Sequence, residues 1–171
     1  IADGVQIPPH WAGLKFFNVY GPNEYHKGSQ QSVVAQFFRQ IQETGQVKLF
    51  ESHNPSFGDG EQQRDFVWVG DCINLILWLS DNVAINGLFN CGTGTARTFN
   101  SLAESVFLAL NKEPKITYIP TPENIRPNYQ YFTQANMERL RSFGYMGIPT
   151  ALEDGVKNYV NNYLLSEDQY L

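Results

Sequence analysis

The chain reads as an α/β protein, and three observations carry that reading. Short runs rich in β-branched and aromatic residues alternate with stretches whose apolar residues recur at helical spacing. Glycine, proline and asparagine punctuate the joins between them. The 171 residues, 42% of them hydrophobic, suffice for one globular unit with a core of its own.

Each element follows in order. Residues 13–19 are short and apolar and end at Tyr20-Gly21-Pro22-Asn23, so a strand runs into a loop. The loop re-enters helix near Ser29. In the helix expected over 32–43, Val33, Val34, Phe37, Phe38 and Ile41 share a face and Gly45 supplies the stop. Residues 48–50 make a short strand, and a polar loop follows over 51–63. Residues 64–69 form a second clear strand, and Gly70-Asp71 opens a helix to Ser80. A further strand covers 87–91. Thr98 or Ser101 caps the next helix, with Leu102, Val106, Phe107 and Leu110 on its apolar side; Ser101 and Glu104 have capping-box spacing. Residues 115–119 are extended and stop at Pro120. Thr133 is expected to cap a helix to Phe143, ended by Gly144. Thr150 and Glu153 mark a last helix to about Leu165. No repeat or linker divides the chain, so residues 1–171 are read as a single piece. Trp68, Trp78 and Phe107 are assigned to the core.

Several function classes drop out. The net charge of −5 leaves no basic stripe for nucleic acid. Mean hydropathy is −0.34, and no apolar run approaches the roughly 18 residues of a membrane span. Cys72 and Cys91 lie in apolar surroundings without metal or redox spacing, which fits reduced core thiols and a cytoplasmic setting. His10, His26 and His53 are too scattered for a metal site, and no Gly-x-Ser-x-Gly elbow exists. Asp59 and Glu61 read as a solvated surface rather than a carboxylate pair. A dinucleotide fold needs a glycine turn between strand and helix. Gly58-Asp59-Gly60 precedes a strand, and Gly92-Thr93-Gly94 meets Arg97 where a third glycine would stand. The strands are also few for a doubly wound sheet. A chain opening at Ile1-Ala2-Asp3-Gly4, without Met or signal pattern, is therefore expected to be part of something longer.

Phe17 through Ser29 is the informative stretch. Ligands of α/β sheets bind beyond the carboxyl ends of strands, and here Asn18 offers an amide, Lys27 a charge or an acid/base, and Ser29 a hydroxyl at a helix start. On the residues alone, a ligand loop and an ordinarily capped loop stand about even. Asn18-Val19-Tyr20-Gly21-Pro22 after an aromatic strand resembles the segment carried by extended short-chain dehydrogenase/reductases of nucleotide sugars. The continuation Glu24-x-His26-Lys27-Gly28-Ser29 is narrower and is similar to the ADP-L-glycero-D-manno-heptose 6-epimerase family. So are Lys48-Leu49-Phe50-Glu51, Gln63-Arg64-Asp65-Phe66-Val67-x-Val69-Gly70-Asp71, Gly87-x-Phe89-Asn90-x-Gly92-Thr93-Gly94 and Tyr129-Gln130-x-Phe132-Thr133-Gln134-Ala135. The likeness runs from about Gly13 to about Tyr163.

That resemblance implies the C-terminal part of such an enzyme: the end of a Rossmann-type sheet plus a small α/β substrate-binding domain, with the nucleotide-binding core missing. It implies an isomerase that oxidises the sugar transiently with bound NAD or NADP, returns the hydride to the other face, and contributes to lipopolysaccharide core precursors. No Tyr here has Lys four residues on, so the Tyr-x-x-x-Lys pair is placed in the missing half and the fragment is expected to be inactive alone. Lys27 maps onto the second acid/base and also lies near the nicotinamide; burial there would lower its pKa. Val19 maps onto a backbone contact to the nicotinamide. Asn18 and Ser29 map onto sugar or diphosphate, and Phe50, Glu51, Ser52 and His53 onto the adenosine end. Arg64 maps onto the diphosphate, against an ion pair with Asp65 or Glu61, and Tyr129 onto the substrate. Gln36 stands where relatives carry a substrate-contacting His; Ser52-His53 replaces a Gly-Ser pair, and the 52–62 loop is long. Those departures leave a UDP-, dTDP- or GDP-sugar enzyme, or a non-catalytic sugar-nucleotide module, as alternatives. The full-length relatives are expected to be homo-oligomers acting on an ADP-sugar.

Overall fold

The computed structural model describes residues 8–167. Eight short strands pair two by two, and three of the four pairs are parallel. The expected first strand is two. β1 (Ala12–Phe16) pairs with β6 (Gly87–Cys91), while β2 (Asn18–Tyr20), one residue on, pairs with β5 (Phe66–Trp68). Phe17 is the switch: its N–H donates to Cys91 O at 3.0 Å, and the next N–H, of Asn18, donates to Asp65 O at 3.0 Å. The strand expected over 64–69 divides the same way. β4 (Gln63–Arg64) lies antiparallel to β7 (Arg97–Thr98), and β5 follows after the buried Asp65. β3 (Val47–Phe50) pairs with β8 (Ile116–Ile119).

Helix α1 (Val33–Thr44) starts on Ser32, whose side chain accepts from Ala35 N, and ends on Gly45 at φ 73°, a conformation that favours glycine. α2 (Val69–Asp81) buries Cys72, Leu75 and Leu79. α3 (Phe99–Ala109) is capped by Thr98, not by Ser101, because Thr98 Oγ1 accepts the Ser101 N–H at 3.0 Å. One further correction concerns the C-terminal third. Helix begins at Glu138, not Thr133: α4 is only Glu138–Ser142, because Ala135 N donates to Asp65 and residues 133–137 form no regular element. The last helix stands where Thr150 and Glu153 mark it, as α5 (Leu152–Tyr159), and the Thr150 N–H and hydroxyl both donate to the Asp71 carboxylate, at 2.8 and 2.9 Å. Beyond Tyr159 the helix widens to a π-turn over Val160–Leu164.

Two cores result. One packs α1, α3 and α5 around Phe37, Ile41, Leu102, Val106, Phe107, Val156 and Tyr159. The other packs α2 and α4 on Val67, Phe89 and Cys91. Phe107 is fully buried as expected, whereas Trp68 and Trp78 are half-buried at the margins. Cys72 and Cys91 are free thiols inside the second core, and the hydrogen bond between them pushes Cys72 up and draws Cys91 down. No helix among the described residues is long and apolar enough to cross a membrane.

Candidate functional site

A cleft of about 440 Å³ opens where α1, β3, β4, α3 and β8 meet, and Tyr129 closes one side. It gathers four of the residues singled out by sequence: Gln36, Phe50, Arg64 and Tyr129. Val33, Phe37, Leu49, Phe99 and Ile119 supply apolar wall. Arg64 is fixed by its backbone in β4 and by its guanidinium, where Nη1 donates to Gln63 O at 2.8 Å. The guanidinium lies 5.8 Å from the ring centroids of both Phe99 and Tyr129. Neither Asp65 nor Glu61 pairs with it: Asp65 is engaged elsewhere, and Glu61 accepts from Asn100. Burial draws the Arg64 guanidinium below its ordinary value, with Tyr129 opposing. Burial likewise raises Tyr129 above the usual phenol, against Arg64. A half-dehydrated, aromatic-flanked guanidinium with its remaining donors free suits a planar or divalent anion.

His53 and Ser52 sit at the edge of this cleft rather than in it. The Tyr131 hydroxyl is 2.8 Å from both the His53 N–H and its Nδ1, and the His53 ring stands edge-on to Tyr129 and Tyr131. Ser52 N–H donates to Asp59 Oδ1, and Ser52 Oγ donates to Asn54 O, closing the loop on itself. Asp59 and Glu61 are exposed, as expected of a solvated surface, and each also accepts a hydrogen bond that holds its loop. Glu51 is half-buried, with its carbonyl taken by the buried Thr121 hydroxyl. Tyr131 has no role in the sequence reading, although its place two residues after Tyr129 was a usable signal.

The second cluster is the 3-10 segment Tyr25–Gln30, which carries His26, Lys27 and Ser29. All three are exposed, so the burial expected to tune Lys27 is not supplied by the described residues. Lys27 N–H donates to Glu24 O at 3.0 Å, and Gly28 breaks the turn at φ 54°, ψ −121°. Gln36 joins the two clusters. It lines the cleft while its Nε2 donates to Gln31 O at 2.7 Å and lies 3.4 Å from Ser29 O. Its donors are therefore turned toward the protein, and its carbonyl oxygen is what it can offer a ligand. Asn18 is exposed at the start of β2, and Val19 is half-buried in its middle.

A dinucleotide would need free amides at a glycine turn. Gly92-Thr93-Gly94 follows β6, but Thr93 N and Gly94 N already donate to Asp65 at 2.7 and 2.9 Å, with Thr93 Oγ1 and Ala135 N completing the set. This turn does not fit a pyrophosphate, and Asp65 belongs to the frame. No group of three or more metal-ligating side chains occurs among the described residues.

Residues 10–92 match the model of the NAD dependent epimerase/dehydratase family. The ADP-L-glycero-D-manno-heptose-6-epimerase of Nitratidesulfovibrio vulgaris (strain DP4) is 51% identical over 160 residues, 94% of this chain and 50% of the relative. Among solved structures, the Helicobacter pylori ADP-L-glycero-D-manno-heptose-6-epimerase superposes with a TM-score of 0.71 at 33% identity, covering 88% of this chain and 43% of that one. The Thermus thermophilus UDP-glucose 4-epimerase in complex with NAD gives 0.67 at 26%, covering 89% and 46%. The chain spans about half the length of the curated relatives it matches.

Proposed function

We propose that the chain, whose residues 10–92 match the NAD dependent epimerase/dehydratase family, belongs to that family and forms the sugar-nucleotide-binding half of an ADP-L-glycero-D-manno-heptose 6-epimerase. The observation that carries this reading is the aromatic-flanked Arg64 in a cleft that Gln36 ties to the Lys27–Ser29 turn. A substrate of this class has an aromatic base, a diphosphate and a sugar, and the cleft and turn offer a partner to each. Phe50 and Tyr129 take the base, with Glu51, Ser52 and His53 at its ribose side. Arg64 grips the diphosphate. Asn18, Ser29 and the Gln36 carbonyl address the sugar, and Lys27 Nζ gives or takes the proton at the reacting oxygen. NAD, on which the family depends, would supply the redox chemistry, and Val19 and Lys27 are the residues of this chain that would meet its nicotinamide. NAD or NADP is then held by a nucleotide-binding half, and residues 1–171 work as one piece against it.

That half has a place to pack. Parallel sheets are stable with both faces covered, yet Leu88 on β6 is 70% exposed, and Ile73, Ile76 and Leu77 project from α2. Calorimetric titration of the chain with ADP-mannose and UDP-glucose tests the proposal. Preference for the ADP-sugar is the expected result. Preference for UDP-glucose would overturn the ADP-heptose reading within the family, and binding of neither would favour an interaction module.

A further inference from the structure

Among the described residues six polar or charged side chains are buried, and two of them, Glu24 and Gln31, flank the exposed turn that bears Lys27 and Ser29. Glu24 is 3% exposed and its carboxylate collects three donors. Oε2 accepts the Ser32 N–H at 2.6 Å, and Oε1 accepts the Ser32 hydroxyl and, at 2.8 Å, the hydroxyl of Tyr159. Its own carbonyl accepts the Lys27 N–H. One residue thus ties the turn to the first residue before α1 and to the last residue of α5, 135 positions away in sequence.

Gln31 fastens the other end. Its Nε2 donates to Tyr25 O at 3.2 Å, its Oε1 accepts from Arg39, and its carbonyl accepts from Gln36. α5 is itself located by the Asp71–Thr150 bonds just before it. A buried carboxylate is tolerated only where its donors are in place, so this arrangement selects one position of the turn. A loop serving only as a connection would be closed as well by an apolar contact.

We propose that Glu24, through its bond to the Tyr159 hydroxyl, is a positioning residue that holds Lys27 and Ser29 against the sugar. This rests on the function proposed above. It touches no substrate; it fixes where the two exposed side chains stand.

The test uses the full chain and two variants, Tyr159→Phe and Glu24→Gln, with two readouts. Amide exchange followed by NMR should be about tenfold faster at Lys27 and Gln31 in Tyr159→Phe, with α3 amides unchanged; a tenfold change corresponds to losing one ordinary hydrogen bond. Calorimetry should give an affinity for ADP-mannose about tenfold weaker in both variants, with the affinity for ADP within twofold of the unchanged chain. Equal weakening for both ligands would mark a structural tie and overturn the positioning role. Unchanged exchange at Lys27 in both variants would overturn the anchor itself. If the unchanged chain binds neither ligand, the proposed function falls, and exchange at Lys27 still decides the anchor by itself.

Discussion

Replacing Arg64 by alanine should abolish most of the affinity for a nucleoside diphosphate while leaving the fold in place. The guanidinium is packed between Phe99 and Tyr129 and makes one internal bond, to Gln63 O. Its packing exists before and after binding, so it largely cancels from the binding difference. What does not cancel is the pair of charge-assisted bonds to the diphosphate. Each is worth about 1.5–3 kcal/mol when water is withdrawn, and withdrawal is what draws the Arg64 pKa down. Two such bonds, less the cost of drying the anion, leave about 3 kcal/mol, or about 150-fold in Kd. Arg64→Lys keeps the charge but not the fork, so about tenfold loss is expected. Losing the Gln63 bond costs about 1 kcal/mol of stability, visible as a small drop in urea midpoint. Titration with ADP provides the assay. A Kd within twofold of the unchanged chain, with the urea midpoint lowered by no more than that small drop, would refute the assignment of Arg64 to the diphosphate.

Other outcomes follow from the frame. Asp65→Ala strips the acceptor from three backbone N–H groups and the Thr93 hydroxyl, and should cost on the order of 4 kcal/mol in urea unfolding. Tyr20→Phe should leave stability unchanged or raise it by about 1 kcal/mol, because the Tyr20 hydroxyl is buried with no hydrogen-bond partner among the described residues. The Arg97–Glu153 pair joins β7 to α5 and holds the Glu153 carboxyl below its usual range, the hydrogen bond from Arg97 being the main cause. A depressed carboxylate stabilises above its unfolded pKa and loses that contribution as pH falls through its folded pKa. With both side chains partly exposed, Arg97→Gln should therefore cost about 0.5 kcal/mol at neutral pH and nothing well below the carboxylate range. Sedimentation should show concentration-dependent self-association, reduced by Leu88→Glu or Leu77→Glu, since both residues lie exposed.

Helical periodicity was enough to read α1 and the start of α3 nearly to the residue, because α1 and α3 each bury one face and carry a cap or stop in the chain itself. It was not enough for the two long strands. Both change partner at a single residue, Phe17 and Asp65, and partner exchange leaves no mark on the apolar pattern. Thr133 misled for a related reason: a threonine before a polar-apolar run looks like a cap, but this one lies in a segment tied to Asp65 through Ala135. At the site, motif likeness brought out Arg64, Tyr129, Phe50 and Gln36, which the fold collects in one cleft. The expected burial of Lys27 had no basis in local sequence, since the burial of a loop residue depends on what packs over it.

The buried polar residues explain why an exposed, loop-borne site can have a defined shape. Glu24 and Gln31 hold the Lys27 turn. Gln62, 1% exposed, donates through Nε2 to Phe50 O while its carbonyl accepts the Phe99 N–H, so it sets two walls of the cleft at once. Thr121 holds Glu51 O, and Asp65 pins the chain immediately after Arg64. Only Ser105, of the six buried polar side chains among the described residues, serves a helix internally, through Ser101 O. Of the other five, Gln62 and Thr121 bond the backbone of the candidate ligand residues Phe50 and Glu51, Gln31 and Glu24 bond the backbone at the two ends of the Lys27 turn, at Tyr25 and Ser32, and Asp65 bonds the frame at Thr93, Gly94 and Ala135. Burying such groups brings no net stability unless every partner is in place. The concentration of Glu24, Gln31, Gln62 and Thr121 around one cleft and one turn is therefore better explained by a need to fix backbone position there than by a need for stability, which is what a preorganised surface across the two candidate clusters requires.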